Sequence, residues 1–163
     1  MTFGDINMDT YELECLSPSM LNHQIASVVF SCLPEDGPLA VILDGRGQCW
    51  PSDAEKYSIT FSQNHALESF IARIDDGADP VIGDINGTTV VAGELATKNG
   101  HCGYIVFALD GYTHQSTIDN IDLVNTILSL ISITGELIEK NNHMQAVQMR
   151  NLNYSQYSEP CFN

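Results

Sequence analysis

The amino-acid sequence predicts one α+β domain, α/β in the broad sense, with helices flanking a central antiparallel sheet and a long helix closing the fold. Three observations carry this expectation. Residues 81–109 hold three strand-like segments separated by Asn86-Gly87 and Asn99-Gly100, pairs that supply the positive φ angles of two-residue hairpin turns. Residues 117–140 place Ile121, Val124, Leu128, Ile131 and Ile138 at alternating steps of three and four, the period of an amphipathic helix. The length, 163 residues, suits a single core that removes roughly 70% of the unfolded surface from water.

Residues 1–17 are polar with scattered apolar positions and read as an N-terminal arm to a domain over 18–142. Ser17-Pro18-Ser19 opens a helix, with proline tolerated in its first turn. Met20, Leu21, Ile25, Val28, Val29 and Cys32 then recur at helical spacing until Pro34 and Gly37-Pro38 end the run. Residues 39–43 form an aliphatic strand that turns through Asp44-Gly45-Arg46-Gly47 into a hairpin partner, Gln48-Cys49-Trp50. Residues 57–61 alternate weakly, which suggests a further strand. From about Ser62 a helix carries Ala66, Leu67, Phe70, Ile71 and Ile74 on one face, and Asp75-Asp76-Gly77 closes it.

In the last strand, simple alternation puts Cys102, Tyr104, Val106 and Ala108 on one face and Gly103, Ile105, Phe107 and Leu109 on the other. Ser116 and Thr117 are N-cap types, and Asp119 and Asp122 add favourable charge to a first helical turn. The helix that follows is expected to reach Lys140 or beyond, with Gly135 interrupting it. Ile118, Ile127, Leu130 and Leu137 widen its apolar surface into two stripes, one for the sheet and one for a partner. At ~1.5 Å per residue such a helix spans roughly 35 Å, more than one small sheet covers, which predicts a homodimer. Residues 143–163 form a C-terminal extension. Its last stretch, from Asn151, has no period and reads as a flexible tail or an extended segment docked through Tyr154, Tyr157 and Phe162.

Twenty-one acidic residues against six Lys or Arg give a formal net charge of −15, with a sequence pI of about 4.3. Direct binding to nucleic acid or to an anionic membrane needs a basic patch, so both are disfavoured as partners. The acids are dispersed and read as a solvated surface. The five cysteines, Cys15, Cys32, Cys49, Cys102 and Cys161, are odd in number and lack CxxC spacing, which suggests a reducing compartment rather than a disulfide framework. The polar, acidic start does not resemble a signal peptide, and no apolar run reaches the ~18 residues of a membrane span. A cytoplasmic location is the expectation.

The chemistry-bearing residues form no enzyme constellation. His23, His65, His101, His114 and His143 lie on separate elements with no HxH or HExxH spacing, so no metal site is predicted. Cys102 beside His101 is the local candidate for a reactive thiol, and Cys49 beside Trp50 a second, but packing accounts for each. Gly45 and Gly47 have neither the length nor the lysine of a phosphate loop, and Asp84-Ile85-Asn86-Gly87 lacks the ligands of a calcium loop. No catalytic residue is assigned.

Gly93-Glu94-Leu95, then residues 102–109, then the helix from Thr117 to Glu139 form a sequence of elements that resembles a GAF domain; residues 38–50 are similar to that family's opening hairpin. The closing stretch, with Thr113-His114 and Glu139, looks most like sensor domains of bacterial transcriptional regulators. A PAS or profilin-like architecture shares the same outline. The resemblance implies signal transduction by a small-molecule-sensing domain acting through helix-mediated dimerisation, with an output protein in trans or in a longer chain, because no kinase, helix-turn-helix or ATPase segment follows. It also implies a ligand cavity between sheet and helices, flanked by Trp50, Tyr57, Phe61, Phe70 and Tyr104, with His65 and His101 as polar anchors.

The Asn-Lys-Phe-Asp-Glu set of cyclic-nucleotide-binding members is missing. So are the Cys-His loop of bilin-binding members and the cysteine set of the free methionine sulfoxide reductases. The ligand and any cofactor therefore stay unassigned. Two other functions compete: a ligand-free interaction adaptor, and a redox enzyme or peroxide sensor using Cys102 or Cys49.

Overall fold

The structure, a computed structural model, describes residues 17–62 and 64–157, apart from the side chains of Pro18, Asn64 and residues 155–157. The arm before Ser17 and the proposed docking of Phe162 lie outside the described residues. The first helix, α1 (Pro18–Ser31), starts where Ser17 accepts a hydrogen bond from the Met20 amide. Strands β1 (Leu39–Asp44) and β2 (Cys49–Pro51) form the opening hairpin. The buried Asp44 carboxylate holds the turn by accepting from the Arg46 and Gln48 amides.

Residues 57–61 are not a strand. They belong to a helix, α2 (Ala54–Thr60), nucleated by Asp53, whose carboxylate accepts from the Glu55 and Lys56 amides. A strong N-cap outweighs weak alternation over five residues, because it satisfies amides that a short helix cannot pair internally. Asp53→Ala is expected to destabilise the protein by about 1 kcal/mol in urea unfolding; an unchanged midpoint would mean that packing alone holds α2.

Helix α3 (Asn64–Asp75) follows, then β3 (Val81–Ile85), β4 (Thr88–Thr97) and β5 (Gly100–Leu109). Asn86 and Gly87 adopt positive φ, as the first hairpin requires. The second loop is Lys98-Asn99, one residue earlier than expected, because Thr97 pairs with Gly100 and Gly100 already belongs to β5. The sheet runs β2-β1-β5-β4-β3, antiparallel throughout. Its central strands are covered on both sides.

One face packs Leu39, Val41, Val90, Val106 and Ala108 against Phe61, Leu67, Phe70 and Ile74 of the α2–α3 layer. The other packs Ala40, Ile42, Leu95, Ile105 and Phe107 against Leu21 and Ile25 of α1 and against Leu128 and Ile131. The alternation of β5 shifts at its start. A bulge lets Leu95 face Gly103 and Ala96 face His101, skipping Cys102, which joins Ile105 and Phe107 instead of Tyr104. Gly103 sits so close to β1 that a Cβ there would overlap the Leu43 carbonyl.

The chain then forms a six-residue helix, α4 (His114–Asp119), capped by Thr113, whose hydroxyl accepts from the Ser116 amide while the Ser116 hydroxyl accepts from the Thr113 amide. The cap thus lies at Thr113 rather than at Ser116 or Thr117. After a break at Asn120 comes α5 (Ile121–Tyr157), 37 residues or roughly 55 Å long. Gly135 does not interrupt it. That glycine is buried, and a Cβ there would lie 3.0 Å from Ile25 Cδ1, so α1 packs directly onto α5 at this position. The stretch from Asn151 to Tyr157 is helix, not an extended tail, and no element boundary falls at residue 142.

Candidate functional site

The aromatic residues expected to line a cavity mostly fill the α2–α3 side of the core. Phe61, Phe70 and Tyr104 are buried there, Tyr57 packs against the same cluster, and the Tyr57 and Phe61 rings sit 5.4 Å apart. The Phe70 ring lies on the sheet itself: a Cβ on Gly83 would come within 2.9 Å of Phe70 Cζ. Trp50 packs into the opposite cluster. His65 projects into solvent, its Nδ1 3.4 Å from the Glu68 carboxylate. His101 is exposed, 3.0 Å from Glu94, and meets the Tyr104 ring edge-on at 4.9 Å. Of the two histidine anchors, only His101 is brought to an aromatic of the set.

Two phenols in that layer are shifted. Burial, with the Asp75 carboxylate accepting the Tyr104 hydroxyl proton at 2.6 Å, pushes the Tyr104 pKa up to about 12. Burial, helped by the Cys49 thiol 3.6 Å away, pushes Tyr57 up to about 12. The unfolded tyrosine value is about 10, so the folded state holds these protons more tightly. The stability they contribute is complete below pH 10 and declines as pH rises from 10 to 12. Urea midpoints are expected to fall across that window, and Tyr104→Phe to flatten the fall; an unaltered slope would show that Tyr104 does not titrate there.

Burial also raises the Cys102 pKa, against a lowering effect of Thr97. A raised value disfavours the thiolate that nucleophilic or redox chemistry uses. Asn22, fully buried on α1, donates from Nδ2 to the Cys102 carbonyl at 2.8 Å, which ties helix to strand at the bulge. Among the described residues, no group of three or more His, Cys, Asp or Glu side chains could hold a metal ion.

The open surface lies on the other side of the sheet. Helix α1 crosses α5 tightly near Gly135, where Asn142 also donates to Gln24 at 2.7 Å. Towards the C-terminal end of α1 the two helices line a groove of about 900 Å³. Its floor is Val91, Phe107 and Leu128, and its lips are Val28 on α1 and Ile127 on α5. A volume of this size and an apolar floor suit a small organic molecule. The expected cavity lies elsewhere, and the sequence signal for this groove is confined to Val28 and Ile127 on apolar helix faces.

The second stripe of α5 begins in the groove itself, which Leu123 and Leu130 line, and runs on beyond it. Val124, Leu128, Ile131 and Ile138 face the sheet and α1. On the outer side Leu123, Leu130, Leu137 and Met144 stand seven residues apart and are 57–61% exposed. Ile133 and Val147 fall three residues after Leu130 and Met144 and are exposed too. One heptad position is thus apolar throughout, while the position three residues on alternates polar and apolar as Thr126, Ile133, Lys140 and Val147, so the stripe carries half of a coiled-coil pattern in full and the other half in part. Residues 123–135 contain no charged side chain in a chain of net charge −15. The expectation that no stretch reaches span length is corrected here: by length and composition the helix over Ile121–Tyr154 qualifies as a bilayer span, with a mean hydropathy of 1.6 over its best window, although in this fold one side of it is seated on the sheet.

The chain matches no family model, no curated protein and no solved structure.

Proposed function

We propose that this chain is a regulatory module of sensor type, in the manner of a GAF domain, that works as a homodimer joined through the outer stripe of α5. The observation that carries the reading is the exposed seven-residue repeat from Leu123 to Met144 on a helix whose other side is already committed to the core. Such a helix links the packing of the sheet to whatever lies along its length. The order of elements, helix, hairpin, two helices, three antiparallel strands and a terminal helix pair, supports the resemblance to that family.

Self-association is favoured at this face for an electrostatic reason. Two copies of net charge −15 repel over most of their surfaces, and residues 123–135 present an apolar surface without that penalty. The dense packing around Phe61 and Phe70 favours a second reading, an adaptor that responds to no ligand and uses the same stripe for another protein. Sedimentation equilibrium of the full chain separates the two. The proposal expects a dimer at micromolar concentration; a strict monomer there would favour the adaptor.

A further inference from the structure

We infer that the groove between α1 and α5 is the ligand site of this module, and that it takes a small apolar molecule bearing a cationic amine. The inference rests on the sensor reading and adds the ligand class. The groove is distinct from the aromatic layer under α2 and α3, where Phe70 lies directly on the sheet. Its floor of Val91, Phe107 and Leu128 is drawn from two strands and a helix, so core side chains form its base, while its mouth lies open to solvent between exposed Val28 and Ile127.

Charge then selects the ligand. Two carboxylates, Asp36 from the loop after α1 and Asp110 from the turn after β5, border the groove, and no Lys, Arg or His lines it. Both aspartates are exposed, so they are solvated when the site is empty and can face a charged headgroup at its mouth. A fatty acid or phosphorylated metabolite would bring its anion against two like charges in a protein of net charge −15. An alkyl or aryl amine meets the opposite sign, with its hydrocarbon on the apolar floor. Ile127 and Leu130 line the groove from α5, so an occupant touches the helix that carries the seam.

The test uses the full chain and the neutral fluorophore N-phenyl-1-naphthylamine, displaced by octylamine, octanol or octanoate. Octylamine is expected to displace it at about tenfold lower concentration than octanoate, and the gap to narrow with added salt. Asp36→Lys with Asp110→Lys should reverse that order while keeping the fluorophore bound. Val28→Trp, which fills the recess from its exposed lip, should weaken fluorophore binding at least tenfold. No uptake by the wild type, uptake unaffected by Val28→Trp, or equal displacement by amine and acid would each overturn the assignment.

Uptake only by the variant Leu137→Glu/Met144→Glu, whose changes lie outside the groove, would also overturn it, because a second copy would then occupy the recess. A wild-type monomer that still prefers the amine would keep the site and remove the dimer. The two ideas therefore fail separately.

Discussion

Leu137→Glu together with Met144→Glu is expected to convert the protein from dimer to monomer without loss of fold. Both side chains are more than half exposed in the single chain, so glutamate there leaves the core of one copy intact. In a dimer the same positions form the seam. Four carboxylates brought into an apolar interface would cost several kcal/mol in desolvation and like-charge repulsion, a weakening of roughly a hundredfold or more. Sedimentation velocity with circular dichroism reads both parts of the expectation. A variant that remains dimeric would place the interface elsewhere. Leu137→Ile is the control for shape, and it should leave the dimer within a few-fold of the wild type.

Gly103→Ala is expected to cause the largest loss of stability among single substitutions that add only a methyl group. The added carbon meets the Leu43 carbonyl at the β1–β5 pairing, and Gly103 has a φ of 156°, which L side chains rarely adopt. The central pairing must open to admit it, so about 3 kcal/mol is at stake and Tm should fall by roughly 10 °C. Gly111→Ala separates the two causes. Gly111 has a φ of 80° with nothing near its Cβ position, so backbone strain acts alone there and about 1 kcal/mol is expected. If the two variants were equally stable, the close approach of β1 to β5 would not be what requires glycine at 103.

Local chemistry was legible where a residue type has a single physical consequence. Asn86-Gly87 marks its turn because that pair accommodates positive φ, and Leu39–Asp44 reads as a strand because a short aliphatic run is bounded by turn residues. The antiparallel sheet with a long closing helix follows from such signals. Where two weak signals competed, the pattern misled. Residues 57–61 alternate, yet Asp53 upstream supplies the cap that makes them helical. Cys102 alternates with Tyr104 in sequence, and the bulge before Gly103 moves it to the other face. Residues 151–157 lack a period of their own and are helical as a continuation of α5, since propagation adds a hydrogen bond per residue once a helix exists.

The candidate site was legible only in part. The sequence shows that α5 has two apolar stripes, and the exposed one carries the dimer proposal. It does not show that α1 is pinned to α5 at Gly135 and Asn142 yet leaves an open groove near its own C-terminal end. That geometry depends on one glycine at a helix crossing, and a glycine in a helix is more readily read as an interruption. Most of the aromatic set lies on the opposite face, where large rings complete a packed layer instead of lining a space.

The central claim is that the outer stripe of α5 joins two copies, and photo-crosslinking from position 137 tests it most directly. p-Benzoylphenylalanine replaces Leu137 in a mixture of isotopically light and heavy chains, and crosslinked peptides are mapped by mass spectrometry. Mixed-isotope crosslinks into the partner's α5 are the predicted result. Crosslinks to the sheet edge or to α2 and α3, or no mixed-isotope product from a chain that runs at 17.9 kDa, would contradict it.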